Sequence, residues 1–320
     1  MTVQQLKYIV TLDQERHFAR AAEACFITQP ALTIQLKSLE EEIGVKIFDR
    51  SKVPLKPTPV GEEIIAKAKR VLREMDGIRD LVVEKKNVLR GTLRLGVVST
   101  LSPYLVPFFM NALEKETPRI EYTIKEASTI QLMDDLEAGE LDVALMATPT
   151  GRAGLIEFPV FLEPFVAYLH TSHPQAKNDF YKLSEQDKFG LLLLNSEYCY
   201  NAQLIDICSI PKKKASLKSA YEITTIETLK NMVRANLGFA IVPWLSVMSE
   251  PKSSVIKTFK DPQPVREISL VVADTFTRKL LLEKMKSTIW NTLPDPLKNK
   301  MKYKHIKWDD SPYFLDMTNE

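Results

Sequence analysis

Apolar residues recur at helical spacing in successive stretches at the start of the chain. Residues 2–12 fit a short amphipathic helix, and the alanine-rich residues 18–25 suit a tightly packed one. A further helix is predicted to begin after Thr28, a good N-cap residue, and to end before Gly44. Its apolar stripe consists of Leu32, Leu36, Leu39 and Ile43. Two short helices joined by a tight turn predict a helix-turn-helix, a motif that can enter the DNA major groove.

The outer face of the second of these helices carries small, polar and basic side chains. Residues 45–50 and 53–58 then predict two short extended pieces, a wing whose basic residues would approach phosphates. Ile34 could contact a thymine methyl group. The predicted DNA-contacting residues are Thr28, Gln29, Pro30, Thr33, Ile34, Lys37, Arg50 and Lys52.

A long amphipathic helix is predicted from Pro59 to about Val88. Its apolar face comprises Ile64, Ala68, Val71, Met75, Ile78 and Val82. Such a face can pack on its own chain or against a second copy. We favour a second copy, because a helix of roughly 30 residues, about 45 Å long, is hard to bury on a small head. Two-fold symmetry then predicts an interrupted palindrome as the DNA target.

Strand and helix patterns alternate from Thr92 onward, which predicts a parallel sheet with helices on its faces. The predicted strands are 92–98, 121–126, 142–147, 165–170, 190–194, 238–242 and 267–273. The predicted helices are 103–116, 129–138, 226–235 and 278–288, with Thr224 and Glu227 forming a capping box for the third. Two α/β lobes are expected, with a binding cleft between them. The expected domains are therefore 1–58, 59–89 and 90–290, followed by a tail, 291–320.

Composition narrows the class of protein further. The chain has 45% hydrophobic residues and no long apolar run or signal-peptide layout, so we expect a cytoplasmic protein without membrane contact. Residues 1–90 hold sixteen Lys and Arg against thirteen Asp and Glu, a modest N-terminal basic excess. Three cysteines without a CxxC pair and four scattered histidines argue against a disulfide scaffold and a metal site.

The helix-turn-helix and wing carry a specific string of residues. It reads Ala21-Ala22, Gln29-Pro30-Ala31-Leu32-Thr33, Gln35, Leu39-Glu40, Gly44, Phe48, Arg50, Thr58 and Gly61. This string resembles the N-terminal signature of LysR-type transcriptional regulators. The resemblance implies an α+β chain with a winged helix-turn-helix, a dimerising linker helix and a two-lobed, periplasmic-binding-protein-like α/β effector domain. It also implies a non-enzymatic regulator without a cofactor, which binds double-stranded DNA as a dimer or homotetramer and has RNA polymerase as a further partner.

Cys199 and Cys208 form the sharpest chemical feature of the second half. If their segment is helical, nine steps separate the two Cα atoms by about 13 Å, whereas a disulfide needs them within about 7 Å. Joining them would require the segment to unwind. This spacing, together with Thr100 and Arg266, resembles the peroxide-sensing OxyR branch of the LysR family. The resemblance makes Cys199 the thiol that attacks peroxide and Cys208 the thiol that resolves the product.

The expected effector cleft combines hydroxyl groups at helix N-termini with residues that the resemblance adds. It comprises Thr100, Ser102, Thr129, Gln203 and Arg266. Three alternatives stay open. Tyr198, Asn201 and Ala202 replace the histidine, arginine and aspartate usual in the OxyR branch, so the cysteines could be structural and the cleft could bind a small organic anion. A thiol enzyme would need a base beside a cysteine, and a secreted solute-binding protein would lack the first ninety residues.

Overall fold

The computed structural model describes residues 1–85, 89–182, 190–194, 222–250, 255–260, 263–298 and 303–305. The chain divides into two compact units, Met1–Val88 and Leu89–Glu320. In the described ranges no helix is both long and apolar enough to cross a membrane.

The first unit is a helix-turn-helix with a small wing. Its elements are α1 (Val3–Glu15), α2 (Phe18–Ala24), α3 (Gln29–Ile43), β1 (Phe48–Asp49), β2 (Lys56–Pro57) and α4 (Pro59–Lys85). The predicted ends of α3 are confirmed: the Thr28 side chain accepts a hydrogen bond from the Ala31 N–H, and Gly44 adopts the left-handed conformation. Strands β1 and β2 pair antiparallel, which confirms the predicted wing. Leu32, Leu36 and Leu39 are fully buried in the core of this unit, as their spacing predicted.

The predicted apolar face of the long helix α4 is buried near the start of the helix and exposed further along. Near its start Ala68 is buried and Ile64 is half-buried against the core of the helix-turn-helix. Further along, Val71, Met75 and Ile78 are exposed, with Ile78 65% accessible. The side chain of Val82 lies outside the described residues. The first part of this apolar face thus packs within its own unit, and the later part is exposed and available to another chain.

The second unit is built from alternating strands and helices. Its strands are β3 (Gly91–Val98), β4 (Ile120–Ala127), β5 (Val143–Thr148), β6 (Leu155–Tyr168), β7 (Phe180–Tyr181), β8 (Ala240–Pro243), β9 (Ile256–Phe259), β10 (Gln263–Ala273) and β11 (Tyr303–His305). Its helices are α5 (Ser102–Glu116), α6 (Thr129–Ala138), α7 (Ile226–Arg234), α8 (Lys279–Thr292) and α9 (Asp295–Lys298). A short 3-10 turn, Trp244–Val247, follows β8. Two separate apolar clusters give the unit its two lobes.

The sheet is mixed, so the prediction of a parallel sheet was only partly right. Strand β3 pairs parallel with β4 and β5, whereas β10 runs antiparallel to both β5 and β6. Strand β6 belongs to both lobes, because its first part pairs with β10 and its end pairs with β8 and β9. The chain returns from the second lobe along β10, and this return reverses the strand direction.

Several predicted boundaries in the second unit were wrong. The strand placed at Phe165 begins at Leu155, and the strand placed at 190–194 is a single bridge from Leu191 to Phe239. Thr225 caps α7 by accepting from the Thr228 N–H, so the predicted capping box at Thr224 is not formed. Helices α8 and α9 reach beyond residue 290, and Leu293 and Leu297 are buried in the first lobe. The predicted domain limits themselves stay a prediction.

Candidate DNA-binding and effector sites

The N-terminal end of α3 presents the residues predicted to enter a DNA groove. Thr28, Gln29 and Pro30 are exposed, and Ile34 is 66% accessible. Thr33 is half-buried, and its hydroxyl already donates a hydrogen bond to the Gln29 carbonyl at 3.0 Å. Lys37 and Lys52 are also exposed, with Lys37 lying 3.6 Å from Glu41 in an ion pair on the helix surface. All eight predicted residues therefore belong to one compact unit.

Arg50 is held in place by a buried carboxylate that the sequence reading missed. Glu40 accepts hydrogen bonds from the Ile47 and Phe48 N–H groups at 2.9 and 3.4 Å, which ties α3 to the wing. The Arg50 guanidinium lies 3.3 Å from the second oxygen of Glu40 and 5.7 Å from the ring centre of Phe18. A signal for this role was present in the sequence, because Glu40 directly follows Leu39 on the face that packs into the core.

In the second unit, Thr100 and Arg266 meet in a buried polar cluster. Arg266 lies directly opposite Glu163 across the β6–β10 ladder, and the two side chains form an ion pair at 2.8 Å. Arg266 also donates to the Thr100 hydroxyl at 2.9 Å and to the Thr100 carbonyl at 3.2 Å. The Leu245 N–H donates to the other oxygen of Glu163 at 2.9 Å. This cluster joins the loop after β3, the two central strands and the 3-10 turn.

The other predicted cleft residues are only partly described. Ser102 and Thr129 are buried at the first positions of α5 and α6, and Ser128 caps the second of these helices. Gln203, Cys199 and Cys208 lie outside the described residues, so the structure does not test their predicted roles.

A second polar network links the two lobes and was not predicted. The Tyr104 hydroxyl on α5 donates to Glu227 on α7 at 2.8 Å, and Lys230 lies 2.8 Å from the same carboxylate. Lys230 is buried and also contacts Glu250 at 3.1 Å. Arg234 completes the network by pairing with Glu250. The sequence carried a signal, because Lys230 follows Leu229 directly on the buried face of α7.

Burial and charge shift the pKa values of groups in this network. Burial, followed by the hydrogen bond to Glu227, raises the pKa of Tyr104 above its usual range, so the phenol stays protonated. Burial alone would raise the pKa of Glu250, but hydrogen bonds from Arg234 and Lys230 outweigh it and lower that pKa. Glu250 therefore remains a carboxylate between two cations. Within the described part of the chain, no group of three or more potential metal ligands occurs.

Comparison with known proteins assigns these two units. Residues 3–62 match the bacterial regulatory helix-turn-helix protein, lysR family, and residues 86–287 match the LysR substrate binding domain. The chain belongs to the LysR family. It is therefore a DNA-binding transcription regulator, and the match of its first unit excludes the solute-binding alternative.

Individual relatives of this LysR-family chain match most of its length. It is 32% identical to the "Hydrogen peroxide-inducible genes activator" of Haemophilus influenzae over 85% of this chain and 90% of the relative. It shares the same identity with the DNA-binding transcriptional dual regulator OxyR of Escherichia coli K12, over 85% of this chain and 89% of the relative.

Solved structures agree with these sequence relatives. A full-length OxyR variant from Pseudomonas aeruginosa superposes with a TM-score of 0.76 at 35% identity, covering 91% of this chain and 98% of that one. A hydrogen peroxide-bound OxyR mutant from Corynebacterium glutamicum gives 0.64 at 27% identity, covering 95% and 98%. The predicted fold is thereby confirmed.

Proposed function

We propose that this LysR-family regulator senses hydrogen peroxide through Cys199 and Cys208. The observation that carries the proposal is the similarity over most of the chain to regulators named for hydrogen peroxide. Cys199 and Cys208 supply a pair of thiols for the chemistry, in the order that the resemblance to the OxyR branch implies.

The chemistry requires one peroxide and two thiols. The Cys199 thiolate attacks a peroxide oxygen, the O–O bond breaks, and the leaving hydroxide takes up a proton to become water. The Cys208 sulfur then attacks the Cys199 sulfenic acid and displaces its oxygen as a second water. Two thiols are oxidised to a disulfide, and one peroxide is reduced to two waters.

The polar cluster at Thr100 supports this proposal. Its hydroxyl accepts from Arg266 at 2.9 Å and retains its own proton, which it can donate to the oxygen of a bound ligand. The ion pair with Glu163 fixes the guanidinium, so the orientation of the Thr100 hydroxyl is set before a ligand arrives. We therefore place the peroxide site beside Thr100, with Ser102, Thr129 and Gln203 as further polar groups of the cleft.

The test is an intact-mass measurement and a free-thiol count on reduced full-length protein, before and after near-stoichiometric hydrogen peroxide. We expect the loss of two hydrogens and two thiols in the wild type, and no disulfide in Cys199→Ser or Cys208→Ser. Cys25→Ser is the matched control and should oxidise like the wild type, because Cys25 lies in the first unit. Thiols that stay free in the wild type would refute peroxide sensing. Continuous peroxide consumption with a reductant present would instead support a thiol enzyme.

A second candidate effector is a small organic anion, with both cysteines structural. The specific observation in its favour is that Tyr198, Asn201 and Ala202 stand where the OxyR branch usually carries histidine, arginine and aspartate. Those groups would lower the pKa of a thiol and activate peroxide. In this case the thiols stay free after peroxide, and small carboxylates raise the melting temperature of the wild type but not of Thr100→Val.

For the DNA side, we infer that the chain binds an interrupted palindrome in the cytoplasm as a dimer or dimer of dimers, with RNA polymerase as a further partner. The exposed Val71, Met75 and Ile78 support self-association through α4. The eight residues predicted to contact DNA are proposed to do so in the groove and on the adjoining phosphates. Sedimentation of the free and DNA-bound protein distinguishes two chains from four.

A further inference from the structure

Phe26 occupies a backbone position that normally suits glycine. Its φ of 56° lies in the left-handed region. The Phe26 N–H donates to the Glu23 carbonyl at 3.0 Å, and the Ile27 N–H donates to the Ala22 carbonyl at 2.9 Å. This pair of bonds is the Schellman motif that ends a helix, in which the left-handed residue is usually Gly and sometimes Asn. A bulky aromatic residue there is a genuine outlier.

The ring of Phe26 contributes almost nothing to the packing of its own unit. It is 95% accessible, the most exposed aromatic side chain of the described chain. The apolar contact that normally accompanies a Schellman motif comes from Ile27, which packs against the core of the helix-turn-helix. Asparagine would suit this backbone better and would expose less apolar surface. Neither packing nor backbone preference in this unit therefore accounts for the phenyl ring, so we look for a contact with another molecule.

Phe26 lies next to the end of α3 that is predicted to face DNA. It lies two residues before Thr28, the N-cap of α3, and thus at the same end of α3 as the exposed Thr28, Gln29 and Pro30. In a helix-turn-helix protein this end of the second helix contacts base edges. A phenyl ring cannot form hydrogen bonds with bases, but it can pack against the methyl group of thymine in the major groove.

We propose that Phe26 reads the C5 methyl group of a thymine at one position in each half-site. This inference rests on the DNA-binding function of the family and is independent of peroxide sensing. Thymine is thereby distinguished from cytosine at that position, because cytosine presents no methyl group. This apolar contact would supplement the predicted polar contacts of Gln29 and Thr33 with base edges, and it requires no further hydrogen-bonding side chain.

The test uses the duplex that the full-length wild-type protein selects from a random DNA pool. Each thymine of that duplex is replaced in turn by deoxyuridine, which removes only the C5 methyl group. Binding of each duplex is measured for the wild type and for Phe26→Asn. Asparagine tolerates the left-handed backbone, so the melting temperature of this variant should equal or exceed that of the wild type. Phe180→Asn, which removes a half-exposed ring from the second unit, is the matched control.

We expect uracil at the position that Phe26 contacts in each half-site to weaken wild-type binding about fourfold for each methyl group removed from contact. Phe26→Asn should bind the thymine duplex correspondingly more weakly and should not distinguish uracil at that position. Phe180→Asn should behave like the wild type. Three results would overturn the proposal: no uracil-sensitive thymine in the wild type, unchanged discrimination in Phe26→Asn, or an equal loss of affinity for every duplex. A wild type that selects no duplex would contradict DNA binding itself.

Discussion

Replacing Glu163 with glutamine tests whether the buried ion pair holds the second unit together. Glu163 and Arg266 have side-chain accessibilities of 0% and 2%, so neither charge is solvated by bulk water. Glutamine has nearly the same shape and keeps an oxygen to accept from the Leu245 N–H. The change therefore removes the negative charge with little effect on packing.

The expected loss of stability is large, because the guanidinium stays buried without a counter-charge. Breaking a buried pair by removing one partner costs about 3–5 kcal/mol, against a total of about 5–15 kcal/mol for a typical domain. Removing the second charge as well, in Glu163→Gln with Arg266→Met, should restore on the order of 2 kcal/mol of that loss. The double variant should thus be more stable than the single one.

Urea unfolding followed by tryptophan fluorescence measures this free energy in the second unit alone. All three tryptophans, at positions 244, 290 and 308, come after residue 89 in the sequence, where that unit begins. Asp134→Asn is the matched control, because it removes a charge from the exposed Arg152–Asp134 pair at 2.6 Å and should cost at most about 1 kcal/mol. The reasoning fails if Glu163→Gln costs no more than this control, or if the double variant is no more stable than the single one.

Three further changes test other parts of the molecule. Arg50→Ala should weaken binding to all DNA sequences similarly and reduce the salt slope by about one; a loss confined to one base pair would contradict phosphate contact. Ile78→Asp or Met75→Asp should give monomers that lose operator binding, and unchanged sedimentation would refute pairing through α4. Glu250→Gln tests the lowered pKa of Glu250: the stability that the wild type has over the variant should be complete above the ordinary glutamate pKa of about 4.3. That advantage should disappear as the pH falls through the lower folded-state pKa, whereas a pH-independent difference would exclude a contribution from ionisation.

The helix-turn-helix was predictable because its signals are local. The apolar stripe of α3, the cap at Thr28 and the stop at Gly44 all act within a few residues of one another. The left-handed conformation of Phe26 could not be predicted in the same way, since no glycine or asparagine marks it. The Schellman hydrogen bonds that end α2 require this conformation, so the geometry of the helix end overrides the preference of the residue.

The direction of β10 was unpredictable for a different reason. Every residue of β5 is buried, as are most of β10, and a strand buried on both faces shows the same apolar run in either direction. The buried polar cluster of the second unit was equally hard to predict from local sequence. Thr100 and Arg266 are 166 residues apart in sequence, so only the family resemblance could link them. Glu163 was missed, although an acid within the apolar run 160–168 already indicates a buried partner.

Three buried charged residues each join two elements of the fold and thereby position the residues of the predicted sites. Glu40 joins α3 to the wing, and Lys230 joins α7 to the segment after β8. Glu163 joins β6 to β10 through Arg266, which in turn holds the Thr100 loop. Each would be costly to bury alone, so each junction must form together with its partner. The carboxylate of Glu40 therefore fixes the wing relative to α3, and Arg50, paired with that carboxylate, is positioned before DNA binds.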